Sequence, residues 1–258
     1  MAIPAARGAL TTLDDVTRLL VVQPSRTDPP GPLGDWLTSA GVELDVRSTD
    51  AGDALPADLG GFDGLVVLGG PQSALDSPET SPELTGVRAL LGQALADDVP
   101  TLAICLGAQL LADVGGGRVR VGVEGPEIGA TLVAKRDTAD ADPLFRPLPL
   151  SPDVLQWHHD EISALPEGAV LLAGNPHYPH QAYRVGRNVY GVQFHIETTP
   201  ELVRQWAASD PEGVAAAPHD VDVLLARSDA AHPDIAEVWA PFAGRFADLV
   251  RATARSAA

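Results

Sequence analysis

Short apolar runs alternate with helical patterns from Arg18 to Val114, and this alternation limits the folds open to the chain more than any other feature. Arg18 to Gln23, Leu65 to Leu68 and Val99 to Ile104 read as buried strands, and Val42 to Arg47 alternates as a half-buried strand does. Between them, Pro32 to Ala40 reads as a short helix with Gly41 at its C-cap. Ser81-Pro82-Glu83 opens a helix running to about Asp97, with Ser81 as N-cap and Pro82 at the first position. Strands separated by helices predict an α/β fold with a doubly wound, mostly parallel sheet. Such sheets place ligands beyond the C-terminal ends of their strands. From 115 to 195 the texture changes. Glycine and proline punctuate short β runs, such as Ala130 to Lys135, Gln181 to Val185 and Val189 to Phe194, which predict an antiparallel extension. Asp137 to Asp153 is rich in Asp and Pro and reads as a surface loop.

The chain has one cysteine, Cys105, placed where the run Val99 to Ile104 meets the helical pattern Leu106 to Val114. Ala103 stands two places before it and Gly107 two places after it. Small neighbours are the steric requirement of a nucleophile elbow, where the backbone bends sharply between strand and helix. A thiol there faces the N–H groups and dipole of a helix start, which favour the thiolate. A lone cysteine in an apolar run is also a common small hydrophobe, so the case rests on what faces it.

Two further segments bear on that. Val189 to Glu197 is a strand pattern with Gly191 inside it. Side chains two apart share a strand face, so His195 and Glu197 project together if the strand stays regular that far. A carboxylate beside a histidine fixes its tautomer and stabilises the imidazolium. Leu65 to Pro71 reads as a strand ending in a glycine turn, where the Gly70 N–H is a suitable oxyanion donor.

Together these segments resemble the class I (triad) glutamine amidotransferases, the glutaminase domains that occur in GMP synthase and carbamoyl phosphate synthase. Ala103 to Gln109 is similar to the family elbow G-x-C-x-G-x-Q, with alanine for the first glycine. Phe194-His195-Ile196-Glu197 is similar to F-H-P-E, with isoleucine for proline, and Gly69-Gly70-Pro71 to the oxyanion strand end. Leu155 to Asp160 is similar to the stretch that lines the glutamine pocket. The resemblance covers residues 18 to 208 and implies a flavodoxin-like, amidotransferase-type fold. It implies a catalytic triad of Cys105, His195 and Glu197, and oxyanion donors at Gly70 and Leu106. It also implies pocket lining by the backbone at Gln156 and Trp157. Gln109, one helical turn past Cys105 on the same face, would grip the α-carboxylate or ammonium end of the substrate. The implied reaction releases ammonia from L-glutamine through a glutamyl thioester, with no metal or organic cofactor.

Composition narrows the partners. A net charge of −18 and a pI near 4.5 argue against nucleic acid, whose phosphates need a basic face. Nowhere does an apolar run approach the ~20 residues of a membrane span. Met1 to Arg7 lacks an apolar signal core, and a single cysteine suits a reducing compartment, so the expectation is a cytoplasmic protein. His158 and His159 beside Asp160 invite a metal reading. The chain has no H-E-x-x-H and no cysteine pair, so no metal site is expected. It also has no P-loop. The ammonia acceptor is then a separate synthetase subunit, or the chain is a free-standing γ-glutamyl hydrolase. A non-catalytic scaffold that kept the fold is the third reading, and it predicts eroded catalytic residues.

The expected organisation is a tail over 1–17, an amidotransferase-like domain over 18–208 and a helical extension over 209–258. Val221 to Arg227 and Asp234 to Thr253 read as two helices. Ile235, Val238, Trp239, Phe242, Phe246 and Val250 form an apolar stripe, which either packs on the core or docks a partner.

Overall fold

The computed structural model of the chain describes residues 16–257, so most of the expected tail lies outside the described residues. Its main sheet has eight strands in the order β2-β1-β3-β4-β12-β11-β10-β7. Five of these run parallel: β2 (Glu43–Ser48), β1 (Arg18–Gln23), β3 (Gly64–Val67), β4 (Thr101–Ile104) and β12 (Val189–Val192). β11 (Ala182–Val185), β10 (Val170–Gly174) and β7 (Ala134–Lys135) continue the sheet antiparallel, as the punctuated β runs predict. Two small ribbons stand beside it: β5 (Arg118–Val121) with β9 (Asp160–Ala164), and β6 (Glu127–Leu132) with β8 (Asp153–His158).

The continuous apolar runs are explained by helices on both faces. Successive residues of a strand point to opposite sides. Leu19, Val21, Val66, Leu102 and Ile104 therefore enter one apolar layer, while Leu20, Val22, Leu65, Val67 and Ala103 enter the other. The first layer holds α1 (Gly31–Ser39) and α6 (Val221–Ala257), and the second holds α2 (Glu83–Asp97) and α3 (Leu106–Val114). Gly41 follows α1 at φ +82°, and its N–H bonds back to the Thr38 carbonyl, so it ends that helix as its sequence position predicts. Two short helices, α4 (Pro200–Ser209) and α5 (Pro211–Ala216), lead into α6.

Three local expectations are corrected. Val221 to Arg227 and Asp234 to Thr253 belong to one helix of 37 residues, with Pro233 and Pro241 inside it. Each internal proline costs ~3 kcal/mol. Against that, Ile235, Trp239, Phe242, Phe246 and Val250 are buried, each worth ~1.5–3 kcal/mol. Burial therefore outweighs propensity, and the stripe lies on the core. Asp137 to Asp153 is not merely a surface loop: Leu144 and Phe145 are 1% exposed, and Phe145 packs against Tyr190, Trp239 and Phe242. Its Asp and Pro content hid that plug. Ser81 is not the N-cap of α2; Pro82 is, and the Ser81 hydroxyl donates to Asp76 Oδ2 at 2.7 Å instead. No helix among the described residues is long and apolar enough to cross a membrane.

Candidate active site

β4 delivers Cys105 to the sheet's C-terminal edge, and α3 begins at the next residue. Its backbone N–H donates to the Val192 carbonyl (2.8 Å), while its own carbonyl accepts the Gln109 N–H (2.9 Å). Satisfying strand and helix at once forces φ 50°, ψ −109°. Only Cys105 and Asp98 have positive φ among the described non-glycine residues. Such a conformation costs ~1–3 kcal/mol. The elbow also needs α3 to sit hard against β3: a Cβ on Gly107 would lie 2.4 Å from the Val67 carbonyl oxygen.

Beyond β12 the strand is no longer regular, yet His195 is fixed by a two-way bridge to Leu155, at 2.7 and 3.2 Å. His195 Nδ1 bonds Glu197 Oε1 at 2.7 Å, and Glu197 Oε2 accepts the Ile196 N–H at 2.8 Å. The Trp206 ring packs on the imidazole at 4.7 Å between centroids. His195 Nε2 is buried without a hydrogen-bond partner among the described residues. Burial disfavours the imidazolium, but the charges of Glu197 and Cys105 and the hydrogen bond to Glu197 outweigh it and raise the His195 pKa well above the usual 6.5. Gly69 is what lets the two side chains converge, since a Cβ there would be 3.0 Å from His195 Cε1 and 3.5 Å from Cys105 Cβ. Cys105 Sγ itself lies 3.7 Å from the Trp157 carbonyl oxygen and accepts from Gln193 Nε2 at 3.8 Å.

These groups open into a cleft of ≈ 530 Å³, within the range of small-molecule sites. Gly70 and Leu106 line it beside Cys105 and His195. Trp157 lines it too and donates through Nε1 to Asp210 Oδ2 (3.1 Å). Gln109 lines it, but its Nε2 already donates to the Asp160 carbonyl (3.0 Å) and to Gln193 Oε1 (3.3 Å). With both amide hydrogens engaged, Gln109 offers a ligand its oxygen, which suits a donor such as an ammonium group and not a carboxylate. The expectation for Gln156 concerned its backbone, and its side chain goes elsewhere. It is fully buried behind the cleft wall, where its Nε2 donates to Gln181 Oε1 at 2.8 Å. The alternation of β8 turns its side chain away, and Trp157 to Asp160 supply the wall instead.

The histidine pair is used in hydrogen bonding. His158 sits between the Asp160 carbonyl (2.9 Å) and Glu127 Oε2 (3.0 Å), and His159 pairs with Asp210 at 2.8 Å. Among the described residues no three His, Cys, Asp or Glu side chains group as metal ligands. Sequence reasoning missed Asp28, Gln193, Trp206 and Asp210. Asp28 was within reach of the rule that drew attention to Gly70 and Cys105, because it lies just past the C-terminal end of β1. Trp206 and Asp210 carried no local signal.

Comparison with known proteins follows the same lines. The family profile described as "Glutamine amidotransferase class-I" matches residues 34–206. A "GMP synthase [glutamine-hydrolyzing]" of Porphyromonas gingivalis is 38% identical over 144 residues, covering 55% of this chain and 26% of that protein. The chain thus spans about a quarter of the length of that relative. A "Putative glutamine amidotransferase-like protein YfeJ" of Salmonella typhimurium is 33% identical over 170 residues, 65% of this chain and 70% of that one. The crystal structure of a glutamine amidotransferase from Thermotoga maritima aligns with a TM-score of 0.79 at 27% identity, over 90% of this chain and 98% of that chain.

Proposed function

The chain belongs to the class I glutamine amidotransferase family, and we propose that it hydrolyses the side-chain amide of L-glutamine at the Cys105 cleft. One observation carries this reading. A strained cysteine at the start of α3 and a histidine bonded to a carboxylate meet across Gly69 in one cleft. A scaffold without activity gives no reason to keep backbone strain at Cys105 or a buried His195 Nε2 that has no partner among the described residues.

The proposed steps use the residues in place. His195, held by Glu197, takes the Cys105 proton, and the thiolate attacks the γ-carbonyl carbon. The N–H groups of Gly70 and Leu106 receive the oxyanion, and the Leu106 donor is free for this because the first N–H groups of a helix lack intrahelical partners. The imidazolium returns its proton to the leaving nitrogen, and ammonia departs. Water, deprotonated by the same histidine, cleaves the thioester and releases glutamate. The 530 Å³ cleft holds this chemistry, and the ammonia serves a synthetase activity on another domain or chain.

The test is ammonia release from glutamine by the purified chain. Cys105→Ala should lower the rate by about 10⁶ while circular dichroism stays unchanged. Retained turnover in that variant would sink the reading. Stimulation by an acceptor enzyme supports coupling, whereas unassisted turnover on the order of 10 s⁻¹ favours a free-standing hydrolase.

A further inference from the structure

The loop between β1 and α1 carries a carboxylate that the steps above leave unused. Asp28 is 7% exposed, lines the cleft and makes no ion pair with Lys or Arg among the described residues. Its Oδ2 is held by the Thr27 hydroxyl at 2.8 Å, and that hydroxyl is in turn 2.7 Å from Ser25 Oγ. Its own N–H donates to the Ser25 carbonyl at 3.0 Å. The loop is pinned from outside as well. Trp206 Nε1 donates to the Thr27 carbonyl at 3.0 Å, and Gly31, at φ +44°, lies so close to the Glu197 carbonyl that a Cβ would sit 2.2 Å from its oxygen. One oxygen of Asp28 is thereby fixed. The other, Oδ1, has no protein donor among the described residues.

Oδ1 lies beside Gly69. The point where a Gly69 Cβ would stand is 3.4 Å from Asp28 Oδ1, 3.0 Å from His195 Cε1 and 3.5 Å from Cys105 Cβ. Oδ1, the His195 ring and the Cys105 side chain thus gather around one glycine, and all three residues line the same cleft. Burial raises the Asp28 pKa, and the neighbouring His195 charge and the Thr27 hydroxyl lower it in part.

We propose that Asp28 is a specificity residue that accepts an N–H of the substrate's carboxamide nitrogen and so selects glutamine over its own product, glutamate. This rests on the glutamine-hydrolysis reading. The chemistry follows from donors and acceptors. The Gly70 and Leu106 N–H groups can take the carbonyl oxygen, but the amide NH₂ of glutamine needs an acceptor, which Asp28 Oδ1 provides. The γ-carboxylate of glutamate has oxygen in that place. It has no hydrogen to give, and it would bring a second negative charge beside a buried one. A site built to receive an N–H rejects the analogue that lacks it. The same repulsion helps the hydrolysed product leave.

Calorimetry on the Cys105→Ala protein, which cannot turn over, tests this with glutamine and glutamate as titrants. That protein should bind glutamine at least about tenfold more tightly than glutamate, as the loss of one charge-assisted hydrogen bond implies. Adding Asp28→Asn should erase the preference, because an amide both donates and accepts, and Asp28→Glu should restore part of it. Asp28→Ser takes the place of the Asn variant if that fails to fold. A merely structural Asp28 would weaken both ligands equally and leave the ratio unchanged, which overturns the proposal while the hydrolysis reading stands. If the Cys105→Ala protein binds neither amino acid, both fall.

Discussion

β1, β3 and β4 bury aliphatic side chains on both faces, whereas the antiparallel end of the sheet rests on buried carboxylates and amides. In the parallel half, Leu19 to Val22 and Leu65 to Val67 are at most 1% exposed. At the other end, Asp142 Oδ2 accepts from Arg184 Nε (2.8 Å) and the Tyr190 hydroxyl (3.2 Å), while its Oδ1 takes the N–H groups of Leu144 and Phe145. Glu127 likewise gathers Asn175, Gln181 and His158. Apolar packing is tolerant of detail, so the parallel half can carry strain at one point, the elbow. A polar network has no such slack, because each buried group must find its partner. The cleft lies between the two, with its nucleophile from one side and its Trp157 to Asp160 wall from the other.

That contrast can be broken by substitution. Glu197→Gln strikes chemistry on the parallel side, and kcat should fall on the order of 10³–10⁴-fold with a near-native fold, read by steady-state ammonia release. It also carries a pH signature. The folded His195 pKa lies above its unfolded value, so the stability from this pair is complete below about pH 6.5 and fades as pH rises through the folded pKa. The Tm deficit of Glu197→Gln relative to wild type should therefore be greatest in mild acid and shrink in alkali. A deficit that grows with pH would contradict the assignment.

Asp142→Ala should do the reverse. It strands Arg184 and the Tyr190 hydroxyl, at a cost of about 3–5 kcal/mol in chemical denaturation, while kcat of the folded fraction holds. A loss under 1 kcal/mol would show that the polar end is not a separate source of stability. Gly107→Ala sharpens the boundary. Its new methyl meets the Val67 carbonyl, so α3 must shift, costing about 1–3 kcal/mol and lowering kcat with it. Stability lost with kcat intact would mean that the elbow does not feel the α3–β3 contact.

The same contrast explains what could be read from the chain. β1 falls on Arg18–Gln23 as expected, because a run buried on both faces announces itself. The elbow at Cys105 follows from a local pattern, whereas β12 ends at Val192 and the expected pairing of His195 with Glu197 is held by the distant bridge to Leu155. What escaped was set by distant partners. Gln156 turns to Gln181, Trp206 reaches Thr27 and Asp142 pairs across 42 positions with Arg184. No window of sequence contains both ends of such a contact. The break expected before Asp234, where Pro233 stands, erred in the opposite sense, since a strong local breaker was overruled by burial.

The bond from Trp206 to Thr27 joins residues 179 positions apart. Contacts between remote positions form late, because loop closure must be met before they contribute. The layer that joins α1 to α6 spans still more distant positions, so during refolding the layer under α2 and α3 should return first, and turnover should lag the circular dichroism signal. The polypeptide should then pass through a stage in which one face of the sheet is covered and the cleft is not yet closed.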